Sequence, residues 1–162
     1  PYLSNYEGLS IFCDSDFLFF EVFQNLINEI DLSKAVSVVK HDYTPSTHKK
    51  FLNQEQTVYP RKNWSSIMVF NNELCKTLTP EIVNHESGLY LHRFKWLNDE
   101  SIGELDVRWN HLVDEYENID PASIGALHYT IGGPYFKEYA NCSYSEVWFD
   151  QLKQLSSPID IN

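Results

Sequence analysis

The sequence predicts an α/β fold, and three observations carry that expectation. Short strand-like runs recur along the chain: Leu9–Cys13 (LSIFC) and Trp64–Phe70 (WSSIMVF) read as buried strands, Ala35–Val39 (AVSVV) is β-branched, and Ala126–Ile131 (ALHYTI) is strand-like. Between the first two, Val22, Phe23, Leu26, Ile27 and Ile30 fall at helical spacing within Glu21–Ile30. Helix-start chemistry occurs twice: Thr79-Pro80 is an N-cap followed by proline at the first helical position, and Ser143-x-x-Glu146 is a capping box. Strands alternating with helices make an α/β chain.

Taken in order, LSIFC is a strand that runs into Asp14 and a loop, and Phe17–Phe20 follows as a second apolar piece. His41–Lys62 is polar and holds Pro45 and Pro60, so it is expected to be mostly loop. WSSIMVF is a further strand, and a short helix starts at Thr79. Trp109, Leu112, Val113 and Tyr116 predict a helix over Trp109–Tyr116 with those residues as its core stripe. ALHYTI runs into Gly132-Gly133-Pro134, a backbone-permissive turn. The capping box opens a last helix through Leu155. These runs amount to about four strands, few for an α/β sheet of ordinary size.

Length and charge narrow the function. A chain of 162 residues has the length of one domain. Twelve Lys and Arg against 23 Asp and Glu leave a net charge of −11. Phosphate-backbone binding needs the opposite sign, so nucleic acid is excluded as a partner, and an anionic membrane surface fits no better. No apolar run approaches the length of a membrane span. Cys13, Cys75 and Cys142 have no metal-ligand spacing and leave an odd thiol, which fits a reducing, cytoplasmic compartment. The chain starts at Pro1 and its single methionine is Met68, so it is expected to be processed or a piece of a longer chain.

Four stretches carry side chains capable of chemistry. Asp14-Ser15-Asp16 offers two carboxylates at the end of a buried strand, where one hard cation can be held; the same pair also suits a solvated strand-end turn. His128 lies near a strand end ahead of Gly132 and Gly133, which let backbone approach an anion; a buried, hydrogen-bonded core histidine is the alternative. Arg61-Lys62 precedes a strand that also carries Trp64, Ser65 and Ser66, a basic pair and a ring face that fit an anionic group and a sugar or base, or a solvated strand start. Leu91–His111 concentrates Trp96, Trp109, Asp99, Glu100 and Asp106, the residue types that hold polyhydroxylated rings, although Trp109 also fits a core stripe.

In this order the pieces resemble a family. An apolar strand into Asp-x-Asp, then Asn-x-Ser-Ser and an apolar run ending in Asn, then Leu-Asp-x-x-Trp-Asn, then His-x-x-x-Gly-Gly-Pro-aromatic is similar to the C-terminal two-thirds of a GT-A glycosyltransferase. That is the Rossmann-like nucleotide-diphospho-sugar transferase fold. The likeness is to the glycogenin/galactosyltransferase-like group, family eight, and its bacterial and phage relatives, and it covers roughly Ser10 to Phe136. The resemblance implies that Asp14, Asp16 and His128 bind Mn²⁺ (or Mg²⁺), which bridges the diphosphate of a nucleotide-sugar donor. It places Asn63, Trp64, Ser65 and Ser66 at the sugar, and Gly132 or Gly133 at phosphate. Asp99 and Glu100 fall at the family's acidic stretch near the reacting sugar, with Glu where Gln is usual, and are the implied catalytic pair. The family's Lys-Pro-Trp is replaced by Gly133-Pro134-Tyr135, which leaves Lys62 or Lys137 to meet the phosphate. The implied acceptor is a glycan or a lipid-linked acceptor, with retention of anomeric configuration.

Residues 1–162 are therefore expected to form a single partial GT-A domain without its N-terminal nucleotide-binding unit, completed by an upstream segment or an oligomer. The implied function is metal-dependent sugar transfer. A non-catalytic remnant or glycan- and metal-binding module is the alternative, and an unrelated α/β interaction domain is the third class.

Overall fold

The computed structural model describes residues 1–156. Its strands, in chain order, are β1 (Leu9–Cys13), β2 (Phe17–Phe19), β3 (Val36–Val39), β4 (Lys49–Lys50), β5 (Gln54–Glu55), β6 (Ile67–Asn71), β7 (Ile102–Leu105), β8 (His111–Leu112) and β9 (Ala126–His128). The helices are α1 (Phe23–Glu29), α2 (Pro80–His85), α3 (Gly88–His92) and α4 (Ser145–Ser156). The main sheet has the order β1-β6-β3-β7, the second β2-β9-β8, and β4 with β5 makes a separate hairpin.

The β-branched run of β3 explains the main sheet. It pairs antiparallel with β6, Val36 opposite Phe70, and parallel with β7, Val36 opposite Ile102. A strand buried on both faces needs no polar alternation. Val36 and Val38 face one way, into a cluster with Phe70, Phe94, Trp96 and Ile102. Val39 faces the other, with Ile67, Val69 and Leu105, under Leu26 of α1 and Trp109. The first face is packed by Leu78, just ahead of α2, and by Tyr90 and Leu91 of α3; the starts of the two helices are capped by Thr79 Oγ1, accepting from Ile82 N, and Ser87 Oγ, accepting from Tyr90 N.

The expected helix at Trp109–Tyr116 is not formed. Asp106 accepts from Arg108 N and opens a 3-10 turn at Val107–Asn110, β8 follows, and Asp114 then adopts a left-handed φ of 61°. Trp109, Leu112 and Val113 are buried as expected. A two-residue strand flanked by turns turns those positions inward as well as a helix would. Trp64–Ser66 is likewise a 3-10 turn ahead of β6 rather than part of the strand. The last helix begins at Ser145, and Ser143 instead takes a hydrogen bond from Asn118 Nδ2 and donates its N–H to Asp114 Oδ1.

Trp109 is fully buried core rather than an open ring face. Its indole Nε1 donates to Glu29 Oε2 at 2.9 Å, and Arg108 lies over its ring at 4.7 Å while pairing with both Glu21 and Glu29. One tryptophan thus joins α1, the main sheet and the turn before β8. Trp109→Ala is expected to cost about 3–5 kcal/mol through loss of buried ring and a residual cavity, read as a shift of the urea midpoint at unchanged slope.

Candidate metal centre and its cavity

The site forms where the chain passes from one sheet to the other. After Cys13, Asp14-Ser15-Asp16 crosses from β1 to β2, held at both ends by backbone: Asp14 N donates to Ser66 O at 2.8 Å, and Tyr129 N donates to Asp16 O at 3.0 Å. The pairing of β2 with β9 sets Phe17 opposite His128, and the Phe17 ring stacks on the imidazole at 4.4 Å. This register brings His128 beside the two carboxylates. Ligand-capable atoms of Asp14, Asp16 and His128 all lie within 4.8 Å of one another.

Hydrogen bonding fixes which nitrogen of His128 faces the carboxylates. Ser66 Oγ donates to Asn63 O at 2.6 Å, so it accepts from Asn110 Nδ2 at 2.8 Å. That turns Asn110 Oδ1 toward His128 Nδ1, 2.9 Å away, and an amide oxygen only accepts. Nδ1 therefore carries a proton, and Nε2, 3.4 Å from Asp16 Oδ1, is the ring nitrogen that faces the carboxylates and can ligate a cation. That carboxylate oxygen is buried without a hydrogen-bond partner among the described residues. A cation held between Nε2 and this oxygen would give both a partner. Two carboxylates and one imidazole suit Mn²⁺ better than Mg²⁺, which favours oxygen alone.

Burial raises the Asp14 carboxyl above its ordinary range, with the nearby Asp16 charge adding to it and His128 opposing. For Asp16 burial also works upward, and the His128 imidazole outweighs it, so that carboxyl lies below its ordinary range.

The three residues open onto a cavity of about 520 Å³, also lined by Lys62, Ser65 and Ser66. Ser65 Oγ is hydrogen-bonded to His92 Nδ1 at 2.7 Å. The Lys62 ammonium, 5.1 Å from the Tyr59 ring, has its pKa lowered by burial and by neighbouring Lys50.

Other residues singled out from sequence stand elsewhere. Asp99 pairs with Arg61 at 2.6 Å and its side chain is 75% exposed; the Glu100 carbonyl accepts from Lys34 Nζ. Neither lines the cavity. Arg61 turns away from it, donating to Arg93 O and lying over the Trp64 ring at 5.3 Å. Trp64 itself donates its indole N–H to His41 O, and Trp96 is core. Gly132 and Gly133 do not line the cavity either; a Cβ on them would stand 2.6 Å from the Tyr139 ring and 2.3 Å from the Tyr135 ring. They give those rings room, and Tyr135 is a lining residue. Lys137 is exposed and outside the cavity.

Lys50, His92, Tyr59 and Asn110 were not assigned to the site from sequence. Asn110 sits in the Trp-Asn pair of the quoted motif, a signal that carried no role. Lys50 lay in a stretch read as loop, and only the pairing of β4 with β5 places it.

No protein-family model matches the chain. It is 42% identical over 159 residues to Protein CDI of Arabidopsis thaliana, covering 95% of this chain and 61% of that protein. The chain therefore spans about three-fifths of that relative's length. Among solved structures, the glycosyltransferase GlyE of Streptococcus pneumoniae TIGR4 superposes with a TM-score of 0.55 at 17% identity, over 89% of this chain and 39% of that one. The galactosyltransferase LgtC, in complex with donor and acceptor sugar analogs, gives 0.55 at 10% identity, over 94% of this chain and 63% of that one. The mixed α/β arrangement is thus the fold of GT-A glycosyltransferases.

Two outcomes follow from this geometry. Asn110→Ala frees the His128 ring and is expected to weaken Mn²⁺ binding about 10- to 100-fold, measured by calorimetry. Behind the cavity, His41 is buried against Tyr116 Oη at 2.6 Å, and burial lowers its pKa to about 3 from 6.5. Below pH 6.5 the unfolded chain takes up a proton that the folded one refuses, so stability is lost as pH falls toward 3. The slope approaches about 1.4 kcal/mol per pH unit, and His41→Gln is expected to remove this component from urea denaturation curves taken across that range.

Proposed function

We propose that this chain carries the metal centre of a sugar transferase of the family-eight kind, which moves a sugar from a nucleotide-sugar donor to a glycan or lipid-linked acceptor. The observation that supports the proposal most is the convergence of Asp14, Asp16 and His128 at the cavity, with Asp16 Oδ1, buried and without a hydrogen bond among the described residues, 3.4 Å from His128 Nε2. Mn²⁺ held there would supply positive charge to the diphosphate as it leaves.

The chain's own residues do the rest in this proposal. Asn110 holds the His128 ring in the tautomer that leaves Nε2 available. Ser65 and Ser66 offer hydroxyls along the cavity, although the Ser66 hydroxyl is already committed to Asn63 O and Asn110. Lys62 presents an ammonium to the anionic donor. Gly132 and Gly133 let the Tyr135 and Tyr139 rings close, and Tyr135 forms part of the cavity wall. Asp99 serves to hold Arg61, and no catalytic step is placed on it or on Glu100.

Calorimetric titration with Mn²⁺ tests the centre. The native sequence is expected to bind, and Asp16→Asn and His128→Ala to lose at least about 100-fold, more than an orienting residue costs. Equal binding by the two variants, or no binding by the native sequence, overturns the proposal. A nucleoside diphosphate is expected to bind the Mn²⁺-loaded protein, and donor turnover separates a transferase from a binding module.

A further inference from the structure

Lys50 and Lys62 both line the metal cavity and are both partly buried. Among the described residues, neither ammonium has a carboxylate within ion-pair distance. What distinguishes these two is their place: both half-buried ammonium groups stand on the wall of one cavity, and burial of an ammonium is unfavourable unless an anion meets it. The charge of Lys50 reaches both Asp14 and Asp16.

Lys50 is held where it is. It ends β4 and pairs with Gln54 of β5 across a turn in which Leu52 and Asn53 both have φ of 56°. The next residue pins the hairpin to the segment after His128: Phe51 N donates to Ile131 O at 2.8 Å, and the Phe51 ring stacks on Phe136 at 5.3 Å. The ammonium lies 5.3 Å from the Phe51 ring centroid. Gln56, just past the hairpin, is tied to Glu115 Oε1 at 3.0 Å. These contacts offset the cost of left-handed Leu52 and Asn53.

We propose that Lys50, delivered by the β4–β5 hairpin, binds the donor's diphosphate together with Lys62; this rests on the metal centre proposed above. The charges balance. Two carboxylates neutralise a divalent cation, two ammonium groups remain, and a diphosphate diester carries two negative charges. As the sugar bond breaks, the departing nucleoside diphosphate gains a further negative charge, and the same two donors are in place to meet it. The hairpin thus occupies the role left open by Gly133-Pro134-Tyr135.

The probe is inorganic pyrophosphate, which needs the metal and the lysines but no nucleoside site, titrated by calorimetry into the Mn²⁺-loaded protein. Lys50→Met is expected to weaken pyrophosphate binding about 10- to 100-fold, the worth of a charge-assisted hydrogen bond. Lys50→Arg is expected to restore most of it. Mn²⁺ alone should bind Lys50→Met no more weakly than the native sequence, because a positive charge beside the carboxylates has been removed; this also reports that the variant is folded. Native-like pyrophosphate binding by Lys50→Met overturns the inference. So does failure of the Mn²⁺-loaded native protein to bind pyrophosphate, and in that case the metal centre stands. Failure of the native protein to bind Mn²⁺ removes the metal centre and this inference together.

Discussion

The side chain of Asn110 is the joint between the two sheets. It is fully buried, and its amide spends both ends on neighbours of different origin. The nitrogen donates to Ser66 Oγ, at the entry to β6 in the main sheet, and the oxygen accepts from His128 in β9 of the second. A buried amide left with an open donor or acceptor is costly, so the position of β6 relative to β9 and the orientation of the imidazole are settled by one group. The main chain repeats the link, through Asp14 N to Ser66 O and Tyr129 N to Asp16 O. The candidate metal ligands Asp14, Asp16 and His128 therefore sit on the seam itself, where a shift of either sheet would move them.

Charge is distributed with the same economy. In a chain of net charge −11, cations are scarce, and two of the three arginines act as cross-ties. Arg108 joins Glu21 and Glu29 across α1, and Arg61 joins Asp99 to the carbonyl of Arg93. Each sits over a tryptophan ring, so the guanidinium is oriented by packing as well as by its acids. The lysines at the cavity are left over from this scheme, which makes the cavity locally less acidic than the chain as a whole.

The parts legible in the sequence were those written in contiguous residues. LSIFC, AVSVV and the IMVF portion of the third run form strands, because short, mainly apolar runs bounded by polar residues have few other solutions in a chain this size. The convergence of Asp14, Asp16 and His128 was legible because each lies at a strand end, where register decides what they meet. What could not be read was whatever depends on partners distant in sequence. Ile102–Leu105 contains Gly103 and Glu104 and has no strand pattern of its own; it is a strand because β3 offers an open edge. Trp109–Tyr116 has a helical stripe but Asp106 and Asp114 impose turns at either side, and Leu112 finds a parallel partner in His128. Lys49–Glu55 is polar except for Phe51 and Leu52, too few apolar residues to show a strand pattern, and its hairpin is held by Phe51 packing on Phe136. Ser143 has capping-box spacing, yet its side chain accepts from Asn118.

The glycine turn beyond β9 couples pairs of positions across time as well as space. Tyr139 fills the place where Gly132 would carry a side chain, and Tyr135 fills that of Gly133. Gly132, with φ of 153°, also adopts a backbone that other residues resist. Neither partner of such a pair can vary first: a methyl on the glycine meets the ring, and a smaller residue in place of the ring leaves a void against bare backbone. Among related sequences, ring and glycine are thus expected to be kept or lost as a unit, so that this stretch of the cavity wall changes in single large steps rather than by gradual drift.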